Sequence, residues 1–159
     1  MAFSIRDICE QAEAISNGEH DVIEPGMPFS FHEGMLPGEG VWQGDFRICL
    51  SKDVWPADTS ADSWEQVDFD SDAALQLVPG QTVGSRHCLD DSAGVTLFRP
   101  KGWGASYEGL LGPVLHVTEA RTITHPTHGD VHLLPNESYD CHYARVWDEE
   151  QQRERRSID

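Results

Sequence analysis

The chain has 159 residues, enough for one domain with its own core, and a net charge of −17 that is extreme for that length. Lys52 and Lys101 are its only lysines, so no basic patch offsets phosphate repulsion, and direct nucleic-acid binding is not expected. No apolar run approaches membrane-spanning length and no charged-then-apolar leader opens the chain, so neither membrane insertion nor secretion is expected.

Two readings of the acidity stay open: a high-salt source, where salt screens self-repulsion, or an ordinary acidic protein. Cys9, Cys49, Cys88 and Cys141 are widely spaced and form no C-x-x-C pair. They read as small apolar side chains of a reducing compartment, without a disulfide framework.

In chain order, Ser4 to Asn17 is the first expected element, a helix. Ser4 caps it, Asp7 completes an approximate capping box, and Ile5, Ile8, Cys9, Ala12 and Ile15 form its apolar stripe. Glu19 to Gly40 carries prolines, glycines, Met27, Phe29, Phe31 and Met35 without a steady period. Such an arm, long for a loop within a compact domain, suits binding to a neighbour. Val41 to Leu50 reads as one strand, ended by Trp55-Pro56. An acidic loop from Ala57 to Asp72 follows, with Trp64 and Phe69 as anchors. Ala74 to Val78 is a short strand, Gly80 to His87 a turn, and Gly94 to Arg99 another strand.

Gly112 to Trp147 is the longest patterned stretch and predicts a meander. Two extended runs meet at a His-Pro-Thr-His-Gly corner, where Pro126 removes a donor and biases His125 toward extended geometry. After the Leu134-Pro135-Asn136 turn, Tyr139, Cys141, Tyr143, Arg145 and Trp147 alternate onto one face. Asp148 then caps a short last helix, with Glu149 and Glu150 in its first turn and Arg153, Arg155 and Arg156 near its end. The expected fold is mainly β, a small antiparallel barrel or sandwich with a helix at each end. Its parts are a helix and arm (1–40), a β-domain (41–147) and a C-terminal helix or tail (148–159).

The order of motifs from Val41 onward resembles small β-rich proteins of tailed viruses, bacteria and archaea. The resemblance rests on Gln43-Gly44-Asp45, on Gly80, Gly84 and His87, on His125, His128 and Gly129, on Leu134-Pro135 and Tyr139, and on Arg145. Two positions depart from the pattern: Ser85 stands where a first histidine is usual, and Arg145-Val146-Trp147 replaces an Arg-Glu-aromatic run. No activity comes with the resemblance, so it speaks to fold.

Neutral imidazoles suit zinc, iron, copper or nickel, so His87, His125 and His128, with His116 or His132, are the candidate metal ligands. No H-x-H pair and no H-E-x-x-H is present. Nor is there a G-x-S-x-G, a P-loop or a Rossmann fingerprint. The leading expectation is therefore non-enzymatic and without cofactor. It is a virion structural protein, a capsid decoration or tail accessory assembled in the host cytoplasm. It binds neighbouring subunits or further copies of itself through Phe29, Phe31, Trp64 and Trp103. On this reading the histidines hydrogen-bond their own corner. The alternative is a cupin-like metal enzyme or a small-ligand-binding module using His87, His125 and His128.

Overall fold

A computed structural model describes residues 27–51, 64–69, 75–79, 86–104, 106–148 and 153–156. The helix expected over Ser4 to Asn17 and the glycines Gly80 and Gly84 lie outside them. In chain order the strands are β1 (Phe29–Ser30), β2 (Gly40–Gln43), β3 (Phe46–Leu50), β4 (Trp64–Gln66), β5 (Cys88–Leu89) and β6 (Val95–Pro100). They continue as β7 (Leu111–Val117), β8 (Arg121–Thr124), β9 (Val131–Leu133), β10 (Glu137–Tyr143), β11 (Arg145–Asp148) and β12 (Arg153–Arg156).

These strands form a six-stranded sheet ordered β2-β3-β10-β7-β6-β4 and a four-stranded sheet ordered β1-β9-β8-β5. Of the barrel or sandwich expected, no barrel closes among the described residues. Each sheet keeps two edges, and the sheets contribute to one shared core. Period-two alternation explains which residues reach it. Phe46 and Ile48 of β3, Leu97 of β6, Leu115 and Val117 of β7, and Tyr139, Cys141 and Tyr143 of β10 enter from the larger sheet. Ile123 of β8 and Val131 and Leu133 of β9 enter from the smaller one, while His132 between the latter two is exposed. Each such aliphatic or aromatic side chain, fully buried, contributes about 1.5–3 kcal/mol.

Val41 to Leu50 is a hairpin and not the single strand expected. Gln43 pairs with Phe46 across Gly44 and Asp45, and Gly44 takes a φ of 61° that a glycine adopts without strain. The stretch from Gly112 onward is also not a simple meander. After β7 the chain crosses to the smaller sheet for β8 and β9, then returns at the Pro135-Asn136 turn, where Asn136 has a φ of 60°. The alternation from Tyr139 does not run through to Trp147. It breaks at Ala144, and β11 leaves the sheet to pair with β12.

That pairing replaces the expected C-terminal helix. Arg145 to Asp148 runs antiparallel to Arg153 to Arg156. Dipole and cap terms of about 0.3–1 kcal/mol each do not offset the nucleation cost of a short helix when a neighbouring strand offers a full set of hydrogen bonds. Of the strand expected over Ala74 to Val78, the described residues 75–78 form one bridge, between Gln76 and Cys88.

Of the arm's two rings, Phe31 enters the core of its own chain and Phe29 stays half-buried beside it. β1 adds to β9 in parallel, and the Phe29 amide donates to the Asp130 carbonyl at 2.8 Å. Phe31 is 3% exposed and packs edge-on against Tyr139, with ring centroids 4.8 Å apart, and Phe29 leans on Phe31 at 5.3 Å. Irregular sequence hid an anchored strand: two residues of strand show no period.

Candidate functional site: a buried histidine centre

The β2–β3 hairpin delivers Gln43 and Asp45, the segment entering β5 delivers His87, and the corner between β8 and β9 delivers His125 and His128. The centre thus sits where the two sheets meet. Gln43 and His87 are fully buried, and Asp45 and His125 are each 8% exposed. His128 is half-buried. The rings of His87 and His125 are 4.4 Å apart between centroids, those of His125 and His128 4.5 Å, and those of His87 and His128 6.3 Å. Phe46 closes the apolar side of His87 at 5.1 Å.

Hydrogen bonds fix which atom does what. Gln43 Nε2 donates to the carbonyls of Ile123 at 3.0 Å and Gly129 at 2.8 Å. Its amide therefore cannot be reversed without facing oxygen to oxygen, and Oε1 is the atom 2.9 Å from His87 Nδ1. On the other side of that ring, Nε2 stands 3.4 Å from Asp45 Oδ1. At the corner, the backbone N–H of Thr127 donates to His125 Nδ1 at 3.1 Å. His125 in its neutral form thus carries its proton on Nε2. The pyrrolidine of Pro126 shapes this corner as expected: His125 ends the extended run and the chain bends over residues 126 to 128.

Among the described residues no group of three or more His, Cys, Asp and Glu side chains is placed to hold an ion. The corner supplies one reason. His125 spends the Nδ1 lone pair on Thr127, so its Nε2 keeps a proton that a metal would have to displace. The other two histidines considered as ligands lie elsewhere. His116 Nδ1 is 3.0 Å from Ser138 Oγ on the larger sheet, and His132 Nδ1 is 3.0 Å from Thr122 Oγ1 on the smaller one.

Part of the motif order meets here. Gln43, Gly44, Asp45, His87, His125, His128 and Gly129 come from three separate stretches and share one centre. No known protein family, curated protein or solved structure matches the chain. Gln43 and Asp45 were not among the candidate site residues. Their signal was a glutamine and an aspartate flanking a hairpin glycine, which reads as turn chemistry until the partner histidine is placed.

The expected interface tryptophans divide. Trp64 lies on edge strand β4, partly buried and paired with Pro100. Trp103 is held internally: its indole N–H donates to Tyr143 Oη at 3.0 Å, and the Arg99 guanidinium stacks 3.8 Å over its ring. Burial pulls the Arg99 guanidinium below its ordinary range, with Tyr143 and Glu65 opposing. Cys49 and Cys141 are buried free thiols, and burial pushes that of Cys141 well up. Cys88, half-buried beside His87 in sequence, is raised by burial too, against the pull of Arg86. A raised thiol is a poor nucleophile.

Proposed function

We propose that this domain is a small-ligand-binding module whose working groups are Asp45, His87, His125 and His128, and whose chemistry is proton exchange and hydrogen bonding without a metal. The observation that carries this reading is the convergence of three imidazoles and a carboxylate at the seam between the sheets. A seam needs no such groups to hold. Apolar side chains of similar volume usually hold a buried junction as well or better, because ionisable groups lose hydration there. Departures from a consistent apolar core concentrate at working sites.

The centre offers complementary groups to a ligand entering past His128. The His125 Nε2–H can donate and the Asp45 carboxylate can accept, so a hydroxyl or amide compound, which both gives and takes a hydrogen bond, complements the pair. Against an assembly role, Phe31 is spent in the chain's own core and Trp103 is hydrogen-bonded within the chain.

The test uses histidine-labelled protein and follows imidazole NMR signals while hydroxy acids, carboxamides and sugars are titrated in. A saturable shift of His125 and His128 signals, lost in Asp45→Asn, is the expected result. Signals that no compound moves, or that move equally in Asp45→Asn, would reject the reading.

A further inference from the structure

We propose that Gln43 is a positioning residue: it fixes His87 with a proton on Nδ1, turns Nε2 toward Asp45, and so makes the Asp45–His87 pair hold a second, buried proton. The proposal deepens the ligand-binding reading and rests on it for its use, although the proton itself is read without any ligand.

The argument is one of donors and acceptors. Gln43 Nε2 gives its two hydrogens to the carbonyls of Ile123 and Gly129, which leaves Oε1 as the group facing His87 Nδ1 at 2.9 Å. An amide oxygen only accepts, so Nδ1 must carry a hydrogen. A neutral imidazole has only one. Nε2 would then present a lone pair to the Asp45 carboxylate oxygen 3.4 Å away, two acceptors in a setting shielded from solvent. Low local dielectric makes such an opposition costly. A second proton on His87 removes it and turns the contact into an imidazolium–carboxylate ion pair.

The surroundings agree. Asp45 faces His87 from the β2–β3 turn, and His125 and His128 face it from the β8–β9 corner. His125 takes its own hydrogen bond from Thr127, and among the described residues Asp45 is the carboxylate in contact with the ring. The pair as a whole is then neutral, which is the form of charge a buried seam tolerates. The pair is also chemically poised. Its proton lies between a base and an acid that ligand contact or a shift of Asp45 can rebalance, while Gln43 keeps the Nδ1 proton out of that exchange.

The experiment is a long-range 1H–15N spectrum of the full, ligand-free chain labelled at histidine. At neutral pH both His87 ring nitrogens are expected at protonated positions. In Gln43→Met, which keeps the length of the side chain but offers no acceptor, the Nδ1 signal is expected to move to the unprotonated position while Nε2 stays protonated toward Asp45. In Asp45→Asn the opposite change is expected, with Nε2 losing its proton and Nδ1 keeping it. A wild-type His87 with unprotonated Nε2 or unprotonated Nδ1 would overturn the proposal, and so would variants that leave both signals in place. If Gln43→Met does not fold, the wild-type and Asp45→Asn spectra decide alone. A chain that gives these spectra yet binds none of the probe compounds sinks the ligand reading and keeps the assignment of Gln43. Binding with the wrong spectrum does the reverse.

Discussion

Two of the buried polar knots in this molecule are built on opposite plans. Tyr139 is fully buried, yet its hydroxyl finds its partners five residues back: the Leu134 amide donates to it at 2.7 Å, and it donates to the Leu134 carbonyl at 3.2 Å. The histidine centre draws on partners 44, 80 and 86 residues apart in sequence. The first knot closes on itself as a local turn and lets the ring fill the core against Phe31. The second exists only once both sheets are in place. A local knot tests packing, and a distant one tests the assembly of the whole fold.

The sharpest way to break the comparison is at Tyr139. Tyr139→Ala removes a fully buried ring from the centre of the core and is expected to cost about 3–5 kcal/mol in a denaturant titration. Tyr139→Phe keeps the ring but strands the Leu134 amide and carbonyl, at about 1–3 kcal/mol. A Phe variant as damaging as the Ala variant would mean that the turn, and not the packing, carries this residue. Burial pushes the Tyr139 phenol far above its ordinary range, so the local bonds do not depend on pH in the working region.

The distant knot is tested at Gln43. Gln43→Ala leaves the carbonyls of Ile123 and Gly129 buried and without their donor, and the expected loss is about 1–3 kcal/mol. Because those carbonyls belong to the smaller sheet and Gln43 to the larger, hydrogen exchange is expected to quicken in β8 and β9 more than in β6 and β7. Uniform acceleration across both sheets would mean that the two sheets open as one unit and that the seam has no separate stability.

The same contrast explains what the sequence made legible. The alternation of Tyr139, Cys141 and Tyr143 and the Pro135-Asn136 turn are local signals, and they placed the centre of the larger sheet correctly. The Gly44 hairpin was hidden because Val41 and Phe46 to Leu50 continue the same apolar run on both sides of it. The short strand in the arm was hidden for a related reason. Phe29 and Phe31 look like anchors for a neighbour until β9 is seen beside them, and parallel addition of two residues leaves no mark in the local pattern. Of the centre, His87, His125 and His128 were named as ligands for their chemistry. Their meeting, and the parts of Gln43 and Asp45, depend on contacts across half the chain that no spacing rule encodes.

A smaller effect separates local from distant bonding inside the centre itself. His125 closes its own corner by accepting the Thr127 N–H at 3.1 Å, in the manner of a side-chain turn. His125→Ala is expected to cost about 1 kcal/mol, and His125→Asn, whose shorter side chain can still accept from Thr127, to recover part of it. If Asn recovers nothing, the ring's contact with His87 outweighs the corner bond.

The smallest expected effect concerns His142, a histidine of the larger sheet that lies outside both knots. It sits on β10 across from Arg47, half-buried, and desolvation lowers its pKa below 6.5, with Asp140 opposing and Arg47 assisting. The unfolded chain therefore binds a proton there more readily than the folded one. Its contribution to stability is complete above the unfolded value of about 6.5 and is lost as pH falls through the lower, folded value. Wild-type protein is thus expected to lose melting temperature between pH ~7 and ~5 faster than His142→Gln, whose side chain does not titrate. The difference should be slight, because the ring keeps contact with water and Asp140 partly offsets the cost of charging it. Carboxylates elsewhere titrate in both proteins alike, so only the gap between the two curves reports on His142. Parallel curves would mean that the folded chain accommodates the charged ring, with Asp140 as its counter-charge. A gap that widens toward neutral pH would reverse the sign and place the proton in the folded state, as proposed for His87. His142 is then the control that the histidine centre requires: a half-buried imidazole that favours its neutral form, against one that Asp45 and Gln43 are proposed to hold with two protons.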